Sequence, residues 1–351
     1  MAAPQGSGGA TVGPPPDEGS GGQTPSSSGG APAPGGSGGA TAQGTGGVAS
    51  STGGGAGARG PGGGPGGTAA GGGPPGGSGG APQTNPGGPS YPYVFSTFND
   101  SAAGNTTLII YTSTDALNFT LLSDTKFGGP TGTLRDPSIM KHTDGKFYVA
   151  FTTPPDAGCC GPESSFAIAS SANLKDWTTV ATVPSGVAGV KNTWAPEWFK
   201  DTDGTLYILA NIDGKTYRYT AMDDTLTKFS GGTWIGIGPG YIDTFIVNIG
   251  GTYHAFTKAS TLYIEHATST SLDGPWDFVG TGNWAGWGVH REAPAVLNLG
   301  NGTWRFYCDG GSAGHEQYSD SADVFKTWTP LKPLPGGVGA VTSHGTVIKG
   351  N

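Results

Sequence analysis

The sequence predicts an all-β fold, a five-bladed β-propeller preceded by a long disordered segment rich in Gly, Pro, Ser and Thr. Three observations carry that expectation. The first ninety residues hold no aromatic, Ile, Leu or Cys. After them, a turn followed by an aromatic strand recurs, and so does a Ser/Thr/Ala-rich strand end that leads through a turn into an aromatic. Both signals return roughly every 50 residues, the length of four short strands with their turns.

In the leader, the only large apolar residues are Met1, Val12 and Val48, and the only charges are Asp17, Glu18 and Arg59. Such a chain cannot bury enough apolar surface to offset the entropy of ordering. Runs such as Gly53-Gly54-Gly55 and Pro14-Pro15-Pro16 mark a flexible spacer with short stiff pieces. The expected division is a linker over 1–90 and a propeller over 91–351.

The first signal reads Asp144-Gly145-Lys146-Phe147-Tyr148, Asp203-Gly204-Thr205-Leu206-Tyr207, Gly250-Gly251-Thr252-Tyr253 and Asn301-Gly302-Thr303-Trp304. Its fifth place is taken by Tyr93-Val94-Phe95. The second signal ends on Phe119, Trp177, Phe229, Trp276 and Trp328, spaced 58, 52, 47 and 52 residues apart. Asp-Gly, Gly-Gly and Asn-Gly turns bound strand-like runs throughout, and no amphipathic helix stands out. Regular repeats favour a propeller over a β-sandwich. Ring closure is expected from the C-terminal strand Thr346-Val347-Ile348 joining the blade that contains Tyr93–Phe98.

Charge narrows the function. Without the three linker charges the domain has 16 basic and 23 acidic residues. No Lys/Arg run is present, so nucleic acid and anionic membrane are poor partners. No apolar run is long enough to span a bilayer. Met1-Ala2-Ala3-Pro4 shows neither a charged n-region nor an apolar h-region, yet a spacer of this kind suits an exported domain. Secretion, or tethering outside the cell, is therefore the expectation, with the domain acting as a monomer. Cys159, Cys160 and Cys308 lack metal-site spacing. They read as buried or loop thiols, with a bridge between the neighbours or to Cys308 as the alternatives.

In a propeller the first strand of each blade lines the central channel. The corresponding groups are Leu134-Arg135-Asp136-Pro137 in blade I, Trp194-Ala195-Pro196-Glu197 in II, Tyr241-Ile242-Asp243-Thr244-Phe245 in III, His290-Arg291-Glu292-Ala293-Pro294 in IV and Ser343-His344-Gly345 in V. Taken singly, Asp136 reads as a strand-start cap, Asp243 as an acceptor for backbone amides and His344 as a buried hydrogen-bonding histidine. As a phased set they converge on one funnel. Crowded carboxylates shift one another's pKa, and glycoside hydrolysis needs one carboxyl protonated and another ionised. Glu197 is the weaker candidate. Trp194 offers a face on which a sugar can stack.

At these residues the chain resembles glycoside hydrolase family 43, over about Tyr91 to Lys349. The likeness rests on Arg135-Asp136-Pro137, Trp194-Ala195-Pro196-Glu197, Tyr241-Ile242-Asp243, Glu292-Ala293-Pro294 and Ser343-His344-Gly345, in order and in blade phase. Pro239 to Asp243, Gly251-Thr252-Tyr253 and Phe256-Thr257-Lys258 look most like the branch of exo-acting α-L-arabinofuranosidases. The resemblance implies hydrolysis with inversion. Asp136 would be the general base, Glu292 the general acid, and Asp243 the group that holds Glu292 and raises its pKa. Trp194, Phe245, Arg291 and His344 would bind substrate. No cofactor would be needed for the chemistry. His344 would sit at the funnel floor, where many relatives hold a hydrated Ca²⁺ or a similar ion such as Na⁺, indirectly. Ala293 departs from a position where Gly is common. The implied substrate is a plant cell-wall polysaccharide or oligosaccharide with terminal α-L-arabinofuranosyl residues. A β-D-xylosidase on the same triad, and a carbohydrate-binding propeller without turnover, are the alternatives.

Overall fold

The structure, a computed structural model, describes residues 90–99, 106–154, 163–310, 316–338 and 342–351. The chain divides into two units, Met1–Gly77 and Ser78–Asn351, and every described residue belongs to the second. The expected disorder of the leader and the Cys159-Cys160 pair lie outside the described residues. Cys308 is a buried free thiol, so the bridge to it is not formed.

Five four-stranded antiparallel sheets make the propeller. Blade I is β4 (Arg135–Lys141), β5 (Phe147–Thr152), β6 (Ser165–Ser171) and β7 (Thr178–Pro184). Blade II is β8 (Thr193–Lys200), β9 (Leu206–Ile212), β10 (Lys215–Thr220) and β11 (Thr233–Trp234). Blade III is β12 (Tyr241–Ile249), β13 (Thr252–Ala259), β14 (Ile264–Ser269) and β15 (Asp277–Gly280). Blade IV is β16 (Glu292–Asn298), β17 (Trp304–Asp309), β18 (Gln317–Ser321) and β19 (Lys332–Pro333). Blade V joins the two ends of the domain: β1 (Tyr93–Asn99), β2 (Thr107–Ser113) and β3 (Thr120–Lys126) are completed by β20 (Thr342–Lys349). The expected closure is present, with Val94 opposite Ile348, Phe95 opposite Val347 and Ser96 opposite Thr346.

The second repeat signal is a turn capped by a side chain. Asp115 Oδ1 accepts the Leu117 and Asn118 amides at 2.9 and 2.8 Å. Asn173 Oδ1 accepts those of Lys175 and Asp176 at 3.0 and 2.9 Å. Asp223 and Asp323 each take an amide four residues on, at 2.9 Å. These four turns, and the blade III turn capped by Ser269 and Ser271, push an apolar residue inward: Ala116, Leu174, Leu226, Leu272 and Phe325 are all buried. Each enters a hydrophobic cluster between blades, where Phe151, Phe166, Phe256 and Phe306 are fully buried. The core therefore lies between the blades, and the channel mouth is left to polar groups.

Candidate active site

The innermost strands β4, β8, β12, β16 and β20 each carry a bulge at the same point. The ladder shifts register between Arg135 and Ser138, Trp194 and Glu197, Ile242 and Phe245, and Glu292 and Ala295. In blade V it shifts opposite Ser96 to Phe98. The bulged residue has positive φ every time: Asp136 51°, Ala195 46°, Asp243 51°, Ala293 52° and His344 49°. For a residue other than glycine this costs on the order of 1–3 kcal/mol. Captured amides offset part of it, since Ala195 N–H donates to Thr152 Oγ1 at 2.8 Å and Ala293 N–H faces Asp243 Oδ2 at 3.5 Å. Gly345 follows His344 because a Cβ there would lie 2.3 Å from the Phe95 ring.

A bulge interrupts strict alternation, so two successive side chains can serve one side. Here Arg135 and Asp136, and likewise Ile242 and Asp243, reach a single cavity of about 280 Å³. Of the residues nominated from sequence, Asp136, Asp243, Glu292, Trp194 and His344 all line it. Thr152, Glu163 and Lys258 complete the polar wall. A larger cleft of about 470 Å³ lies at the far ends of β4 and β8, among His142, Lys200, Asp203 and Met222. It contains none of the converging acids, so size alone does not identify the site.

Asp136 is oriented from two sides. Thr152 Oγ1 donates to Oδ2 at 2.8 Å, and His344 Nδ1 stands 3.5 Å from Oδ1. Asp243 is buried, and burial pushes its carboxyl up to about 6; the charges of Glu292 and Asp136 add to this, while His344 and Lys258 oppose it. Glu292 is the open member, with 42% of its side chain exposed, and Lys258 Nζ donates to its Oε1. Burial works against a charged His344, but Asp136, Asp243, Asp309 and Glu197 outweigh it and raise its pKa. The imidazole is thus drawn toward its charged form. Among the described residues, no group of three or more His, Cys, Asp or Glu is arranged to hold a metal.

Two expected contacts are corrected. Phe245 is buried in the interblade core rather than in the cavity wall. The bulge at Asp243 resets the alternation that would have kept Phe245 on the same side. Arg291 also stays out of the wall, because its guanidinium donates to the backbone carbonyls of Trp287, His290 and Gly310 at 3.0–3.2 Å. Sequence reasoning passed over Glu163 and Lys258, which lie outside the innermost strands. Lys258 stands opposite Ile242 in the ladder, the one signal that leads from Asp243's strand to it.

Glu197 lies a layer below, two residues beyond its bulge. It is 7% exposed and accepts Ser138 Oγ at 2.8 Å and Thr346 Oγ1 at 3.0 Å. Burial pushes its carboxyl up to about 7. The folded protein therefore holds this proton where the unfolded chain has released it. The stabilisation is complete below the ordinary carboxyl pKa and is lost as pH rises through about 7. Glu197→Gln cannot ionise. Between about pH 5 and 8 the wild type should lose up to about 3 kcal/mol relative to this variant. Melting temperatures of the two proteins across that range check it, and parallel curves would contradict it.

The model of the family-43-related glycosyl hydrolases, described as a "probable glycosyl hydrolase domain", matches residues 89–349. Similar folds occur in an exo-β-1,3-galactanase from Clostridium thermocellum (TM-score 0.56, 16% identity, 72% of this chain and 62% of that one). A family 43 β-1,3-galactosidase is also similar (0.53, 15%, 65% and 53%), as is a family 43 protein from Bacillus licheniformis (0.51, 16%, 73% and 55%). The chain spans between half and two thirds of the length of these three. No curated relative matches it.

Proposed function

The chain belongs to the family of glycosyl hydrolases related to family 43, and we propose that it removes terminal neutral sugars from oligosaccharides or polysaccharides with inversion of configuration. The observation that carries the proposal is the meeting of Asp136, Asp243 and Glu292 in one small cavity. Asp136, aligned by Thr152 and His344, takes a proton from water as the water attacks the anomeric carbon. Glu292, the exposed acid beside Lys258, gives a proton to the departing oxygen. Asp243 lies buried in the wall of the same cavity and adjusts the field felt by Glu292. Trp194 offers its ring face to the sugar. A hydrated Ca²⁺ or Na⁺ would touch His344 only through water, and no step uses it.

The choice of sugar is supported differently. Two of the three similar structures are named for β-1,3-linked galactose. We therefore place terminal β-D-galactosides ahead of β-D-xylosides and α-L-arabinofuranosides. The Met1–Ser90 composition supports action outside the cell. A monomer on a plant cell-wall glycan is the working form of this proposal.

Aryl β-D-galactoside, β-D-xyloside and α-L-arabinofuranoside, assayed side by side, test it. Glu292→Ala should lose roughly 10²- to 10⁴-fold on substrates with poor leaving groups. It should keep much of its rate on aryl groups of low pKa, which need little proton donation. The sugar released at early times should show inverted configuration by NMR. Retention, or equal loss on every leaving group, would overturn the roles.

A further inference from the structure

We propose that Glu163 is the sugar-reading residue of this cavity: its unpartnered carboxylate oxygen accepts a hydrogen bond from one ring hydroxyl of the bound sugar and sets which neutral sugar is held. Glu163 is held firmly by its backbone. Its amide donates to Lys191 O at 3.0 Å, and its carbonyl accepts Thr193 Oγ1 at 3.0 Å. Glu163 is 3% exposed and lies in the cavity wall with Asp136 and Trp194. Oε2 accepts the Trp194 indole N–H at 3.0 Å. Oε1 is closed to solvent and without a partner among the described residues, so the carboxylate swings toward the cavity when it takes a hydroxyl.

A buried acceptor left unpaired is costly, and more so when charged. Nothing in the fold requires Glu163 to bear that cost: the Trp194 bond uses one oxygen, and a glutamine would serve it equally. A ligand with a hydroxyl donor removes the cost. Burial raises the Glu163 pKa and the nearby charge of Asp136 raises it further, which also favours a hydrogen-bond donor over an anion as the incoming group. A uronic acid would meet Asp136, Asp243, Glu292 and Glu163 together. Lys258 is paired with Glu292, His344 stands 3.5 Å from Asp136 and Arg135 lies over the Phe98 ring, and the four carboxylates outnumber these three cationic side chains, so a neutral sugar is the favoured occupant. A site built on a buried acceptor rejects analogues that lack the matching hydroxyl, because the acceptor is then stranded again.

This inference rests on reading the cavity as a sugar site, but not on turnover. Binding of D-galactose, D-xylose and L-arabinose is measured by calorimetry for wild type, Glu163→Ala and Glu163→Gln, followed by the monodeoxy forms of the tightest binder. In the wild type, one monodeoxy sugar should bind roughly 10- to 100-fold more weakly than its parent, the range of a hydrogen bond to a charged group. Glu163→Ala should bind parent and deoxy sugar equally. It should also raise KM on the matching aryl glycoside more than it lowers kcat, which a purely structural role would not do. If Glu163→Ala fails to fold, Glu163→Gln reads the same ranking, since it keeps the Trp194 bond and replaces the free acceptor with a donor. A wild type that binds and cleaves a sugar while both variants keep its deoxy ranking overturns the inference alone. A wild type that binds none of the three sugars overturns the cavity reading and the inference together.

Discussion

Replacing Asp136 with alanine is expected to lower kcat by roughly 10³- to 10⁴-fold on every substrate the wild type cleaves, whatever its leaving group. That is the upper range for a lost general base, and the site has no ready substitute. Thr152 and His344 both point at Asp136 itself. Asp243 is enclosed by its neighbours, and Glu292 works on the departing oxygen. The leaving-group independence separates this variant from Glu292→Ala, because water must be activated whether the bond to be broken is weak or strong. Added formate should restore part of the rate by entering the space vacated beside Thr152. Removing Asp136 also removes one of the charges that raise both Asp243 and His344. NMR titration should find both pKa values lowered. Activity within tenfold of wild type, with the thermal transition intact, would exclude Asp136 as the base.

The fold was legible because its repeat is local. Each turn bound by Asp115, Asn173, Asp223 or Asp323 is closed by a side chain acting on amides two to four residues away, so the sequence shows it without long-range information. Asp136, Asp243 and His344 were legible for a related reason: all three occupy the same bulged position, and the blade phase brings them together. Phe245 lies two residues past Asp243, and the bulge carries it into the core instead of the cavity wall. Arg291 was misplaced because backbone carbonyls, which carry no sequence signal, take its donors. Glu163 and Lys258 enter the cavity from outside the innermost strands, through a loop and a ladder register that the repeats do not encode. Lys258 also changes how Glu292 is held: the sequence suggested Asp243 as its partner, and the structure adds an ammonium in direct contact.

Deleting Thr342–Asn351 is expected to abolish cooperative folding of the domain rather than trim it. These residues form all of β20, whose ladder with β1 runs from Tyr93–Lys349 to Asn99–Thr342. Val347 is 3% exposed in the cluster shared with Phe95 and Phe306, and Ile348 packs on the neighbouring cluster of Val94 and Leu108. Burying Val347 is worth about 1.5–3 kcal/mol and the partly buried Ile348 adds less, while each ladder hydrogen bond adds about 1 kcal/mol. Truncation also removes the Thr346 hydroxyl from Glu197, leaving a buried carboxyl with one donor fewer. Thr97 Oγ1 loses its acceptor, the Ser343 carbonyl. Together these losses approach the 5–15 kcal/mol that holds a typical domain together. They fall where the ring closes, so no other strand is in place to cover β1. Removing Asn351 alone takes away an exposed bond to Ser90 Oγ and should shift the melting temperature by a degree or two at most, on the scale of a surface change. A synthetic peptide of residues 342–351 should restore a folded, sugar-binding domain when added to the truncated protein, because the exposed edge of β1 is a template for that strand. A truncated protein that melts like the wild type would show that the ring does not depend on this closure.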